Sequence, residues 1–250
     1  MAALGPALWP HDPAKTALNV LRSPLAVGHP LGTDHLGRDL LSRFLDGARV
    51  SMLVGVAAST GAVLIGFILG AAAGYFGGAV DFLAMRTAEV AQVIPRFVLA
   101  LVLVAVFGPS LAKIILVIAV LSWPQSARLV RGQFLVHRSA AYVDAARVLG
   151  QRSWEIILRE ILPNVVAPVT VVATLEVGQA ILLEAALGFF GLSDPSVVSW
   201  GTMLNEAQSY LMRAWWMSVF PGMGIFLSVL ATNLVGDGLN DAINPRLHRA

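Results

Sequence analysis

The sequence predicts an all-α, polytopic membrane protein. Of its 250 residues, 57% are hydrophobic and only 13% are charged, whereas a soluble domain carries about 25% charged residues. Five apolar stretches are each long enough to supply the roughly 20 residues that a helix needs to cross a bilayer. They lack the two-residue alternation of barrel strands, so helices are the secondary structure that satisfies their backbone in lipid.

The five predicted crossings lie at about residues 50–76, 81–107, 111–130, 164–187 and 215–236. Charged residues crowd the start of the second crossing, and Pro124 interrupts the third. We expect kinks at Pro95, Pro124, Pro168 and Pro221, because proline cannot donate a backbone hydrogen bond. Residues 1–49 form a polar arm before the first crossing, and residues 50–250 form one membrane domain.

A charged loop between the third and fourth crossings, here called the amphipathic loop (residues 131–163), has two apolar faces at helical spacing. One face repeats at i, i+3, i+4 and i+7, and after Gly150 the same spacing recurs. The pattern predicts two short helices joined by a glycine turn. Either a partner docks on these faces or the helices lie on lipid headgroups. The two faces comprise Tyr142, Ala145, Ala146 and Leu149, and then Trp154, Ile157, Leu158 and Ile161.

Arginine placement predicts the orientation of the chain. Six arginines lie between Pro124 and Pro163, which predicts that the amphipathic loop and the C-terminus are cytoplasmic. Five crossings then put the arm outside. The arm's own basic residues argue against that assignment, since they would have to be translocated. These arm residues are Lys15, Arg22, Arg38, Arg43 and Arg49.

Several function classes are excluded by what the sequence lacks. There is no cysteine for thiol chemistry, and the net charge of +2 is too balanced for a nucleic-acid partner. Neither Lys15 nor Lys113 follows a glycine, so there is no phosphate-binding Walker loop. The five histidines show no metal-binding spacing, and no serine-hydrolase motif is present. The sequence therefore predicts no catalytic residues, no metal site and no enzyme activity.

Polar side chains within the membrane segments are candidates for a transport pathway. Glu176 and Gln179 lie near the middle of the fourth crossing, where a carboxylate is costly unless it meets water or a partner. Arg96 lies deep enough to stabilise a carboxylate of a substrate or of a neighbouring helix. Arg86 and Glu89, three residues apart, are predicted to form an interfacial ion pair instead.

Two further patterns concern packing and surfaces. Gly66, Gly70 and Gly74 repeat at a four-residue spacing that lets helices approach closely, by default within one chain. The apolar stripe of segment 199–211 predicts a short helix at the outer membrane surface, either as a docking site or as an interfacial anchor.

Several sequence blocks together resemble one protein family. The chain is similar to the inner-membrane permease subunits of binding-protein-dependent ABC importers, in the dipeptide, oligopeptide and nickel branch, and to the second, C-type permease of the pair. The resemblance implies a type I ABC importer permease fold, usually with six crossings, in the cytoplasmic (inner) membrane of a prokaryote. The blocks are HPLGTDHLGRDLLSRFLDGAR (29–49), GYFGG (74–78), SWPQSARLVRG (122–132), Asp144-Ala145-Ala146 with Gly150, Ile161-Leu162-Pro163, EAALGFFGL (184–192), SWGTML (199–204) and GDGLND (236–241).

The resemblance also implies a mechanism and partners. It implies ATP-driven import of short peptides, or of a related small solute such as nickel, by alternating access. The partners would be a homologous second permease, two ATPase subunits that use ATP and Mg, an extracytoplasmic solute-binding protein and membrane lipid. No cofactor would bind this chain. The amphipathic loop would couple to the ATPases, although Asp144 stands where glutamate is usual and Glu160 where isoleucine is common. The implied coupling residues are Asp144, Ala145, Ala146, Gly150, Leu162 and Pro163.

Two other function classes compete with the importer. An ion-coupled secondary transporter would have paired buried carboxylates or broken helices in symmetric halves, and the sequence shows no such symmetry. A non-transporting membrane anchor would leave Arg96 and Glu176 unexplained. The first ten residues, MAALGPALWP, resemble the end of a further helix, so we expect the native reading frame to start upstream.

Overall fold

The computed structural model describes Trp9, residues 13–16 and residues 21–243, and regular secondary structure in these ranges is helical. Most of the N-terminal stretch MAALGPALWP and the C-terminal arginines lie outside the described residues. Isolated β-bridges occur only within the arm of the described chain. The helices are α1 (Leu40–Phe76), α2 (Gly78–Val93), α3 (Arg96–Phe107), α4 (Leu111–Arg138), α5 (Ala141–Val148), α6 (Ser153–Phe189), α7 (Trp200–Ala207) and α8 (Trp216–Ile243).

Four of these helices, α1, α4, α6 and α8, are long and apolar enough to cross a membrane. The predicted second crossing is not one straight helix. It is the pair α2 and α3, bent by 82° at the break between them. Ile94 adopts an extended backbone before Pro95 (φ −87°, ψ 132°), because proline disfavours a helical conformation in the residue before it. The five predicted crossings are therefore found as four helices and one bent pair.

The second half of the amphipathic loop is not a separate short helix, which corrects the sequence prediction. It opens α6, which runs without a break from Ser153 to Phe189. A π-helical turn, Ile156–Ile161, lies near its start, and the Leu162 N–H donates to the Ile157 carbonyl five residues back. Pro163 lies two residues after the end of this turn, and it has no amide hydrogen of its own to donate.

The described chain forms two compact units. Unit 1 comprises the described residues of the ranges 1–57, 100–115 and 178–231, and unit 2 those of the ranges 58–99, 116–177 and 232–250.

In unit 2, α1 and α4 pack backbone against backbone along Gly66, Gly70 and Gly74, here called the glycine seam. A methyl group built on Gly66 would lie 2.6 Å from the Ser126 Cβ, and one built on Gly74 would lie 2.5 Å from the Phe134 Cβ. A methyl on Gly70 would overlap a backbone carbonyl of α4. The prediction of close packing within the chain is confirmed.

The core of unit 2 joins the glycine seam to the amphipathic loop. Buried side chains of α1 and α4 pack with those of α5 and of the π-helical turn. The loop is thus fixed on the helix pair rather than held away from it. The buried members are Ala71, Tyr75, Val130, Phe134, Val143, Ala146, Ile156, Ile161 and Val165.

Unit 1 holds the described part of the arm and α7. The apolar stripe of α7 is buried within this unit: Trp200, Met203 and Ala207 are each at most 3% exposed. The Trp200 indole donates to the Phe44 carbonyl at 3.1 Å, and its ring stacks on that of Phe44. The predicted helix is present, and these three stripe residues pack within unit 1, whereas Leu211 at the end of the predicted stripe is 53% exposed.

We predict opposite effects for two glycine-to-alanine changes. Gly70→Ala should destabilise the protein by about 1–3 kcal/mol, because the new methyl meets the α4 backbone, which cannot move aside cheaply. Gly132→Ala, on α4, places its methyl in open space with no atom within 4 Å, and should be neutral or stabilising by up to ~1 kcal/mol. Thermal unfolding in nanodiscs measures both effects. Equal melting temperatures for the two variants would show that α1 and α4 do not pack closely at Gly70.

Candidate functional site

The turn of the amphipathic loop depends on Gly150. Helix α5 ends at Val148, and Gly150 has φ +77°. Its N–H donates to the Arg147 carbonyl, and the Gln151 N–H reaches the Ala146 carbonyl at 3.1 Å. A left-handed residue at this place is the usual way to satisfy the last carbonyls of a helix. The predicted glycine turn is confirmed.

Helix α5 uses a different face for its internal packing than the apolar spacing indicated. Val143 and Ala146 are buried, whereas Ala145 is exposed and Leu149 is 80% exposed. Most of the predicted apolar face therefore faces outward, and Val148, 88% exposed, adds to it. An apolar surface on a fixed helix is characteristic of a site for another molecule.

Three further coupling residues implied by the resemblance, Asp144, Leu162 and Pro163, are at least partly exposed. Asp144, in the first turn of α5, forms an ion pair with Arg147 at 2.8 Å. Both side chains are well exposed, so the pair contributes little to stability. Leu162 is half-buried and Pro163 is exposed, both directly after the π-helical turn.

Within unit 2, the structure brings together Arg96 and Glu176, both predicted for a pathway. Glu176 of α6 is 2% exposed, and its Oε2 lies 3.9 Å from the Arg96 Nη1 of α3. Arg96 also donates to the Ser122 hydroxyl of α4 at 3.2 Å. The other carboxylate oxygen of Glu176 has no hydrogen-bond partner among the described residues. Gln179, three residues further along α6, is exposed.

The predicted ion pair of Arg86 and Glu89 is confirmed at 3.1 Å, with both side chains more than half exposed. It is a surface pair, whereas the pair of Arg96 and Glu176 contains a buried carboxylate.

A charged cluster in unit 1, here called the arm network, was not anticipated from the sequence. Asp34, 1% exposed, accepts from the guanidinium groups of Arg38 and Arg43. Both arginines also reach Glu206, beyond α7's first turn, at 2.9 Å. These partners are more than 160 residues apart in sequence, so no local pattern could signal them. Two of the arm's five basic residues are thereby neutralised, which weakens the objection to placing the arm outside.

Asp39 fixes the start of α1 beside this network. Its carboxylate accepts from the Ser42 N–H at 2.9 Å, as an N-cap does, and from the Trp9 indole at 3.0 Å. The His29 ring lies 2.9 Å away. Burial raises the pKa of Asp39, but the hydrogen bonds from His29, Ser42 and Trp9 together hold that pKa below its ordinary value.

Glu206 behaves in the opposite way. Burial raises the pKa of the Glu206 carboxyl, and the nearby Arg38 only partly opposes this.

The sequence predicts no metal site, yet Asp34, His35 and Glu206 place ligand atoms within 4.8 Å of one another. Both carboxylates already bind Arg38 and Arg43. A divalent cation would have to displace two guanidinium groups from this space, so the cluster is better described as an ion-pair network.

We predict that Arg96 and Glu176 are energetically coupled. Arg96→Gln leaves a buried carboxylate without its counter-charge and should destabilise the protein by about 3–5 kcal/mol. Adding Glu176→Gln should recover most of that loss, because no buried charge then remains. Unfolding of the four members of this cycle in mixed micelles measures the coupling, with Arg86→Gln as the exposed control. Additive effects of the two changes would refute the pairing.

Comparisons with known proteins agree with this architecture. Residues 62–249 match the family described as "Binding-protein-dependent transport system inner membrane component". The di/tripeptide transport system permease protein DppC of Pseudomonas aeruginosa is 41% identical, over 100% of this chain and 84% of its own length. The glutathione transport system permease protein GsiD of Pectobacterium atrosepticum is 42% identical, over 88% of this chain and 73% of its own.

Solved structures show the same fold. An inward-facing structure of the MetNI methionine ABC transporter superposes with a TM-score of 0.64 at 17% identity, covering 80% of this chain and 96% of that one. The predicted fold class and family resemblance are confirmed, and the alternatives of a secondary transporter and a passive anchor gain no support. The chain belongs to the inner membrane components of binding-protein-dependent transport systems, in which it is a permease subunit.

Proposed function

We propose that this permease subunit carries short peptides across the inner membrane by alternating access, driven by separate ATPase subunits. The peptide class rests on the relatives, whose names specify di/tripeptides, glutathione and dipeptides at about 40% identity over most of the chain. Permeases of such systems work with ATPase and other partner components. The specific assembly proposed here adds a second, homologous permease, two ATPases that consume ATP and Mg, and an external solute-binding protein.

The observation that carries the coupling role is the exposed apolar face of α5. Ala145, Val148 and Leu149 are exposed on a helix whose opposite side, Val143 and Ala146, is fixed in the unit 2 core. Because its buried side is closely packed, a force on the exposed face of α5 would move the helix together with the unit 2 core. The proposed coupling residues are Asp144, Ala145, Ala146, Gly150, Leu162 and Pro163, of which Ala146 is buried in the core and the other five form the contact with the ATPase.

The Ala145 position favours a close-fitting protein partner. Its side chain is small and exposed, with the larger Val148 and Leu149 beside it. A cleft can therefore approach the α5 backbone at this point while the larger side chains fill its walls. Binding to lipid headgroups would not require a small side chain at position 145, because a fluid surface accommodates larger side chains equally well.

The path from this surface into the membrane follows α6. The π-helical turn buries Ile156 and Ile161 in the same core as α5. Glu176 lies twenty residues beyond Ile156 on the same helix, about 30 Å at the helical rise. Displacement of the loop would thus reach the helix that carries Glu176. We assign Arg96, Glu176 and Gln179 to the pathway on this basis.

Within the proposed assembly this chain hydrolyses no ATP and binds no cofactor. The sequence supplies no phosphate-binding loop, and the transported solute passes without chemical change.

We predict that Ala145→Arg abolishes uptake of radiolabelled dialanine by cells that carry the whole transporter. The added side chain meets no internal neighbour at this exposed site, so folding and membrane insertion should remain normal, while the ATPase subunits should no longer co-purify. Ala242→Arg, at an exposed position near the end of α8, is the matched control and should retain uptake. Normal uptake with bound ATPases in Ala145→Arg would refute the coupling surface, and absence of uptake in the wild type would refute the peptide assignment.

A second prediction tests whether coupling requires the left-handed backbone conformation of Gly150. The space around Gly150 is open, so only its positive φ limits substitution. Gly150→Asn should keep most of the uptake, because asparagine tolerates the left-handed region. Gly150→Pro should abolish uptake, because proline fixes φ near −65°. Equal uptake in the two variants would show that the turn conformation does not matter for coupling.

A further inference from the structure

Three polar side chains meet where α4, α5 and α6 come together in unit 2, beside the apolar core. The Tyr142 hydroxyl, in the first turn of α5, lies 2.8 Å from the His137 Nδ1 in the last turn of α4. The Asn164 side chain of α6 also hydrogen-bonds to Tyr142. These residues, here called the tyrosine tie (His137, Tyr142 and Asn164), connect three helices through one hydroxyl group.

Asn164 is itself fixed to the π-helical turn. Its Nδ2 donates to the Glu160 carbonyl at 2.8 Å, and Glu160 lies within that turn. Burial and the nearby Glu160 carboxylate raise the pKa of the Tyr142 hydroxyl, so this group keeps its proton and can both donate and accept. A single hydroxyl therefore joins the first turn of α5 to the π-helical turn of α6 and to the end of α4.

The apolar core does not explain this arrangement. Val143 and Ala146 already hold α5 on the core, whereas the tie lies at the exposed edge, with Tyr142 38% exposed. Contacts between small apolar side chains have no preferred direction, so they resist separation of α5 from the core better than rotation of α5 about its own axis. Hydrogen bonds depend on distance and angle, and the tie therefore fixes that rotation.

The position of the tie relates it to the exposed face of α5. Tyr142 lies three residues before Ala145, on the same side of the helix, and both side chains are exposed. A partner that rotates or displaces α5 through Ala145 would thus move the Tyr142 hydroxyl. The Asn164 side chain would carry this movement to the π-helical turn.

We propose that Tyr142 is a positioning residue for coupling. Its hydroxyl, held between His137 and Asn164, makes the π-helical turn follow α5 when the ATPase subunits displace that helix. Without the tie, the ATPases would still bind the exposed face of α5, but ATP hydrolysis would move the π-helical turn less. The proposal rests on the proposed coupling role of the amphipathic loop, and it adds Tyr142 and Asn164 to the residues that carry this role.

The test measures how many ATP molecules are hydrolysed for each dialanine imported by the whole transporter with its binding protein in proteoliposomes. Tyr142→Phe removes only the hydroxyl and should raise this ratio about fivefold, as the loss of one hydrogen bond predicts. The ATPase subunits should still co-purify with this variant, and its melting temperature should stay close to that of the wild type. Asn164→Ala should raise the ratio to a similar extent. Ser139→Ala is the matched control and should leave the ratio unchanged, because the Ser139 hydroxyl donates to carbonyls at the end of α4.

A double variant separates coupling from simple structural support. If both residues act through one hydrogen bond, Tyr142→Phe combined with Asn164→Ala should raise the ratio no further than either change alone. Three results would overturn the tie: a wild-type ratio in Tyr142→Phe, independent increases that multiply in the double variant, or loss of the ATPase subunits from Tyr142→Phe, which would show a structural role. If Ala145→Arg abolishes uptake while Tyr142→Phe keeps the wild-type ratio, the tie fails and the coupling surface stands. If Ala145→Arg imports dialanine normally, the coupling surface fails and the tie fails with it.

Discussion

Close approach of α1 and α4 along the glycine seam is the packing constraint on which the rest of unit 2 depends. Without side chains at Gly66, Gly70 and Gly74, the backbones come near enough for van der Waals contact to replace the hydrophobic effect, which is weak between helices in lipid. The last turns of that pair then present Tyr75 and Phe134 to the amphipathic loop. The loop has a fixed position because two helices meet beneath it.

A second constraint is that a buried charge needs a counter-charge, and the two units satisfy it with different geometries. In the arm network, four charges lie within direct hydrogen-bond distance, with two acids and two arginines in balance. In unit 2, Arg96 and Glu176 lie 3.9 Å apart, beyond a hydrogen bond. Such a pair still compensates charge, but it leaves a carboxylate oxygen of Glu176 unsatisfied.

The sequence predicted those features that depend on local chemistry. Apolar length located the crossings, the isolated Gly150 located the turn, and the four-residue glycine spacing located the seam. Each of these signals acts within a few residues of the structure it produces. The sequence also predicted that Glu176 needs water or a partner and that Arg96 stabilises a carboxylate, because lipid makes an isolated charge costly, but it did not pair these two residues.

The features that the sequence did not predict arise from tertiary packing. The bend at Pro95 was expected as a kink, but its size depends on what α2 and α3 pack against. The buried face of α5 is Val143 and Ala146 because the aromatic side chains beneath it fix the rotation of the helix, and not because those residues are the most apolar. The arm network joins residues about 160 positions apart, for which a single sequence carries no signal.

The π-helical turn gives these observations a common mechanical explanation. It separates the exposed face of α5 from the long α-helical part of α6, and its buried ends, Ile156 and Ile161, hold it in the core. A π turn contains one residue more than an α turn needs, and such turns within α-helices occur frequently at functional sites. The helix can therefore absorb a small rotation at this turn, ahead of the segment that contains Pro168 and Glu176. In the proposed coupling, this turn determines how far a displacement of the amphipathic loop by the ATPase moves Glu176 relative to Arg96.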